Sequence, residues 1–240
     1  WRILRRGSPR FVGLGAPLDR SRPSSQATHI GTCGRHLWAA MVLGVEIASV
    51  VLNVAAGVCL LFFWYGYAFL LPFEKLRDGI WHLAVDRWWT PVNLFGVTGT
   101  VLASTGLIAF SWTTDLTAGG LIGVLLAVVG LQLLGGNLAW ESLIWPVLAS
   151  KQRELLRFDG PLYRSGTLVA YFAGAGVLFA GGYVTLAVSL GDIAPTWIAV
   201  GLGTGATLFA VGPLFGRFQV VMRSIGITSL AVSQAALALV

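Results

Sequence analysis

Charge is scarce in this sequence. Only 11% of its 240 residues are Asp, Glu, Lys or Arg, where soluble domains carry about 25%, and the mean hydropathy is +0.78. A water-soluble domain is thereby excluded, and the chain reads as one that lives in lipid. Histidine is scarcer still, at His29, His36 and His82, none in the middle of an apolar run. A helix bundle holding haem or chlorophyll through buried histidines is excluded with it. Cys33 precedes the first apolar run and Cys59 lies within it, a placement that disfavours an intrachain disulfide and falls short of any metal-site spacing.

Catalytic signatures are missing too. The chain has no phosphate loop, no GxSxG elbow and no HExxH pair, and so no motif for nucleotide, hydrolase or zinc-protease chemistry. Ser104, Thr105, Thr167 and Thr207 stand in apolar runs without a histidine base in reach. They are expected to bond to the preceding turn of their own helix or to a neighbour. No cofactor is implied.

Glycine, in contrast, is abundant at 31 residues, as is usual where membrane helices approach closely. The fold class expected is all-α, a polytopic transmembrane bundle of six spans: Leu37 to Phe73, Val92 to Trp112, Thr117 to Val147, Ser165 to Leu190, Thr196 to Phe215 and Val220 to Val240. The first run is long for one span and short for two, since each needs about 20 residues. One tilted helix is expected, with a hairpin, and hence seven spans, as the alternative.

Residues 1–36 form a separate region, with seven Arg, three Pro and one acidic residue and no helical or strand period. Three readings apply: a disordered basic tail, an Arg- and Ser-rich targeting leader, or sequence not native to the protein ahead of Met41. Residues 37–240 make up the bundle. Between the first two spans, Glu74 to Thr90 sets Leu76, Ile80, Leu83 and Ala84 on one helical face and Lys75, Asp78, His82 and Asp86 on the other. This predicts a short amphipathic helix lying in the interface, anchored by Trp81, Trp88 and Trp89, or else packed on the bundle.

The net charge of +6 is no nucleic-acid signal. Outside the tail, every Lys and Arg falls in the links after spans one, three and five: Lys75, Arg77, Arg87; Lys151, Arg153, Arg157, Arg164; Arg217, Arg223. The other two links hold Asp115 and Asp192 and no basic residue. By the positive-inside rule, loops 74–90, 150–164 and 216–223 belong on the cytoplasmic or equivalent side.

Two partners are expected: the bilayer, and other membrane subunits met through small-residue helix faces. GxxxG spacing occurs at Gly119 and Gly123, Gly201 and Gly205, and Gly212 and Gly216; Ala170 with Gly174 and Gly176 with Ala180 give similar pairs. Such spacing lets two backbones touch. A resemblance between GVTGTVLASTGL and GLGTGATLFAVG, which would fit inverted repeats, is no more than shared composition gives.

The working centre of the chain is expected near Asn137 and Glu141, four residues apart and so on one helix face. A carboxylate at membrane depth costs roughly 2.5–3.5 kcal/mol on insertion scales, so it asks for a reason. In one reading Glu46, Asn137 and Glu141 converge as a proton or cation site, with helix breaks near Gly135 and Gly136 or Gly212 and Pro213. In the other, Glu141 pairs with Arg153, Arg164 or Arg223 near the surface, while Glu46 lies close to the opposite one. In RFDGPLYRSG, Arg157, Asp159 and Arg164 are candidate contacts to an anionic headgroup, beside the plainer reading of a Gly-Pro turn between helices. The functions that follow are a structural or accessory membrane subunit, a small proton-coupled transporter, or a membrane-embedded enzyme.

Overall fold

The computed structural model describes residues 25–71, 79–237 and 240, with residues 25–38 and 217 described by backbone alone. Among them the helices are α1 (Ser25–Leu70), α2 (Trp81–Ala84), α3 (Trp89–Thr113), α4 (Ala118–Lys151), α5 (Pro161–Arg164), α6 (Gly166–Ser189), α7 (Thr196–Val211) and α8 (Gln219–Ala236). Tighter 3-10 segments occupy Arg153–Leu156 and Gly212–Phe218. The described residues contain no strand, only a single antiparallel bridge between Gly79 and Arg157.

Five helices are long and apolar enough to cross a membrane: Ala39–Leu70, Trp89–Thr113, Ala118–Lys151, Gly166–Ser189 and Thr196–Gly216. The chain is an all-helical, multi-pass membrane bundle. The segment expected as the sixth span forms the helix α8, but its 18 residues include Gln219, Arg223, Ser224, Thr228, Ser229, Ser233 and Gln234, and it is not among the helices apolar enough to cross. The hairpin alternative is overturned, because α1 runs as one helix to Leu70. Residues 25–36, expected in the tail, belong to α1 as well. The readings made for residues 1–24 lie outside the described residues.

The amphipathic helix expected over Glu74 to Thr90 is corrected in part. Its first residues are outside the described set; the rest form only the single turn α2, then a turn, before Trp89 opens α3. Trp89 is fully buried. It is a core residue and not an interfacial anchor.

Packing follows the glycines. The main neighbours of α4 are α3 and α6, and those of α7 are α6 and α8. A Cβ at Gly130 would strike the backbone nitrogen of Phe179, and one at Gly182 that of Ala127, so α4 and α6 touch backbone to backbone. Such contact offers dispersion energy that lipid tails cannot match. Gly205 on α7 and Gly226 on α8 are related in the same way, through Leu230 and Phe209. At Gly216 the backbone turns with φ of 51°, a left-handed conformation that glycine adopts without steric cost. There α7 gives way to α8.

Buried polar side chains then set the register. Tyr183 of α6 donates to Gln234 Oε1 at 2.8 Å, Gln234 of α8 donates to Asn53 Oδ1 at 2.5 Å, and Asn53 of α1 donates to the Gly106 carbonyl of α3 at 3.2 Å. Four helices are joined by one chain of hydrogen bonds whose three side-chain members are all fully buried. In a dry interior such a network holds because its members satisfy one another.

Candidate functional site

The loops after α1 and α4 meet where Ile80 N–H donates to the Leu156 carbonyl at 3.0 Å. At this end of the bundle Asn137 Nδ2 donates to Glu141 Oε1 at 2.6 Å, as their spacing on one helix face predicts. Glu141 is partly buried. One turn on, Pro146 sits inside α4. Having no N–H, it leaves the Ser142 carbonyl without its helical donor, and Thr90 Oγ1 supplies one at 3.0 Å. Trp89 Nε1 donates to the Glu141 carbonyl, also at 3.0 Å. The start of α3 is thus fastened to α4 beside the carboxylate.

Aromatic rings fill the space around it. Trp89 stacks on Trp145 with centroids 5.7 Å apart, Tyr67 lies 5.9 Å from Trp89, and Trp64 stacks on Tyr67 at 6.1 Å. Arg223 completes the row. Its guanidinium lies 4.5 Å from the Trp64 ring and 4.6 Å from that of Phe209, and its stem crosses α7 where Gly212 leaves room for it. A cation between two ring faces is held by their quadrupoles. Arg223 Nε, Trp145 Nε1 and Asn93 Oδ1 are buried without a hydrogen-bond partner.

Glu141 and Arg223 influence one another electrostatically but form no ion pair. Among the described residues the one salt bridge is Arg157 to Asp159, so the expected pairing of Glu141 with Arg153, Arg164 or Arg223 is not made. Arg153 lies over Trp81 instead, 4.9 Å from the ring centroid. Nor are the two carboxylates brought together. Glu46 is exposed on α1, and no described ion pair or hydrogen bond links it to Asn137 or Glu141. Two apolar grooves open on the surface, of about 560 Å³ between α6 and α7 and about 260 Å³ between α1 and α3, and neither contains a carboxylate. The expected break near Gly135 and Gly136 does not occur, since α4 is continuous there; at Gly212 the helix only tightens to a 3-10 segment, Gly212 itself keeping helical angles, and the break comes at Gly216.

In the loop after α4, Arg157 Nε donates to Asp159 Oδ1 at 3.0 Å, both side chains being exposed. That bond and the guanidinium charge hold the Asp159 carboxyl below its usual range. The pair closes on itself, and Arg164 is exposed beside it. Tyr163 packs edge-on against Trp145 and Phe158, and burial pushes its phenol up. Trp81 stacks on His82 and Trp88 is exposed beneath Arg87.

The residues Tyr183, Gln234 and Thr90 were not singled out by the sequence, and Trp64 only as one of the aromatic residues near the end of the first run. Only Thr90 carried a signal, its place at a helix start facing a proline-freed carbonyl. Among the described residues no three of His, Cys, Asp or Glu lie close enough to hold a metal ion. No protein-family model matches the chain, and no curated protein or solved structure shows significant similarity to it.

Proposed function

We propose that the chain is a non-catalytic, six-span structural or accessory subunit of a membrane assembly, with its arginine-bearing loops on the cytoplasmic or equivalent side. The observation that carries this reading is the outer face of α6. Of the five apolar helices it is the least covered, 28% buried over its most apolar window against 39–44% for the others. Gly166, Ala170, Gly174 and Gly181 are exposed on it, and a Cβ added at Gly166, Gly174 or Gly181 would meet nothing within 4 Å. Small residues at that spacing favour contact with another helix, and within this chain the contacting glycines of α4, α7 and α8 are already occupied.

Proton-coupled transport draws on one observation, the break between α7 and α8 beside Arg223. Against it, Glu46 and Glu141 share neither a contact nor a groove.

The test is the size of the particle extracted from native membranes in mild detergent. Changing Gly174 and Gly181 to Leu is expected to release a smaller species while leaving the melting temperature of the isolated chain unchanged. Identical sizes for wild type and variant overturn the reading.

A further inference from the structure

The groove between α1 and α3 is built by two features of sequence. Gly66 has no side chain, and a Cβ there would approach Val92 Cγ2 to 2.9 Å, so the two helices close together to form a floor. Aromatic rings make the walls: Phe62 of α1 stacks on Phe95 of α3 with centroids 5.5 Å apart, and Phe69, 78% exposed, stands further along α1. The space is about 260 Å³ and almost wholly apolar. Because α1 ends at Leu70 and α3 begins at Trp89, the groove runs from the Phe62–Phe95 stack towards the end of the bundle that carries the arginines.

Trp88 lines that end of the groove, and the Arg87 guanidinium lies over its ring at 5.4 Å. Arg87 is exposed and belongs to no ion pair among the described residues, whereas Arg157 is engaged by Asp159. Its neighbour Asp86 turns back to accept the Trp88 N–H at 2.9 Å, and that bond fixes the Trp88 backbone at the mouth. An apolar slot with an exposed cation at its mouth matches, part for part, a molecule with an acyl chain and an anionic head. Basic pockets between spans on the cytoplasmic side bind such headgroups in general, and a ring beneath the cation limits its rotamers.

We infer that the α1–α3 groove is a binding site for an anionic phospholipid, which lays one acyl chain along Gly66 between Phe62 and Phe69 and sets its phosphate against Arg87. This site is distinct from the Arg157, Asp159 and Arg164 loop, and it does not depend on the subunit reading.

Native mass spectrometry of the full-length chain, equilibrated with an equal mixture of dioleoyl phosphatidylglycerol and dioleoyl phosphatidylcholine, tests the inference. Wild type is expected to retain one phosphatidylglycerol in preference to phosphatidylcholine. Arg87→Gln, an exposed change that the fold tolerates, is expected to lower that preference roughly fivefold, the attraction of about one basic residue for an anionic surface. Arg164→Gln is expected to leave it unchanged, and glycerol phosphate without acyl chains is expected not to compete. Leu70→Trp, which fills the groove, is expected to reduce retention of both lipids. The inference is overturned by wild type showing no preference, by equal losses in Arg87→Gln and Arg164→Gln, or by competition from free glycerol phosphate.

Discussion

Gln234 on α8 donates its side-chain amide to Asn53 on α1 at 2.5 Å, across 181 positions of sequence, while its oxygen accepts from Tyr183 on α6. Both ends of the Gln234 amide are used, and the residue is fully buried. Replacing it with Leu strands an amide oxygen and a phenol in a dry interior. The expected cost is roughly 1–2 kcal/mol, the range between an unmet buried group and membrane hydrogen bonds measured by double-mutant cycles. Adding Asn53→Leu and Tyr183→Phe is expected to recover most of it. Reversible unfolding in micelles measures both, and a triple variant no more stable than Gln234→Leu alone counts against the network.

A second relationship is specific to Pro146. Because this proline frees the Ser142 carbonyl, Thr90→Val is expected to cost roughly 1 kcal/mol in the wild-type background. In a Pro146→Ala background the helix supplies its own donor, and the same change is expected to cost appreciably less. A double-mutant cycle on unfolding free energy reads the difference. Additivity of the two changes would mean that the Thr90 bond does not serve the proline.

Gly130 and Gly174 carry the same residue type in opposite surroundings. Gly130→Leu must part α4 from α6, since a Cβ there strikes the Phe179 backbone, and is expected to destabilise the chain by roughly 1–3 kcal/mol or more. Gly174→Leu enters open space and is expected to stay within about 0.5 kcal/mol of wild type. Unfolding of the isolated chain in micelles compares them directly.

The Arg157–Asp159 pair gives a pH dependence. A carboxyl whose value is lowered in the folded chain contributes stability above its unfolded value, near 3.9, and that contribution is lost as pH falls through the folded one. Carbon NMR of the Asp159 carboxyl is expected to titrate below about 3.9 and to return towards it in Arg157→Gln. An unchanged midpoint in that variant would show that the guanidinium is not the cause.

Much was legible from the chain itself. Low charge and long apolar runs force backbone groups to bond within helices, because lipid offers no alternative, so the helical bundle and the positions of α3, α4, α6 and α7 follow from composition and run length alone. The bond from Asn137 to Glu141 follows from helical spacing. Spacing within one helix cannot show what lies across from it, however, and there the structure decided. It buried Trp89 against Trp145 where an interfacial tryptophan was expected. It set Arg223 between Trp64 and Phe209 without an ion pair to Glu141, and it left Glu46 exposed. It also divided chemically identical glycines into those that seat a neighbouring backbone, such as Gly130, and those that face outward, such as Gly174. Which five helices are long and apolar enough to cross a membrane was already decided by the residues of each run, because transfer from water to lipid is summed residue by residue. Which side chains meet was decided only by how α1, α3, α4, α6, α7 and α8 turn their faces to one another, because a contact between distant positions is a property of the packed bundle.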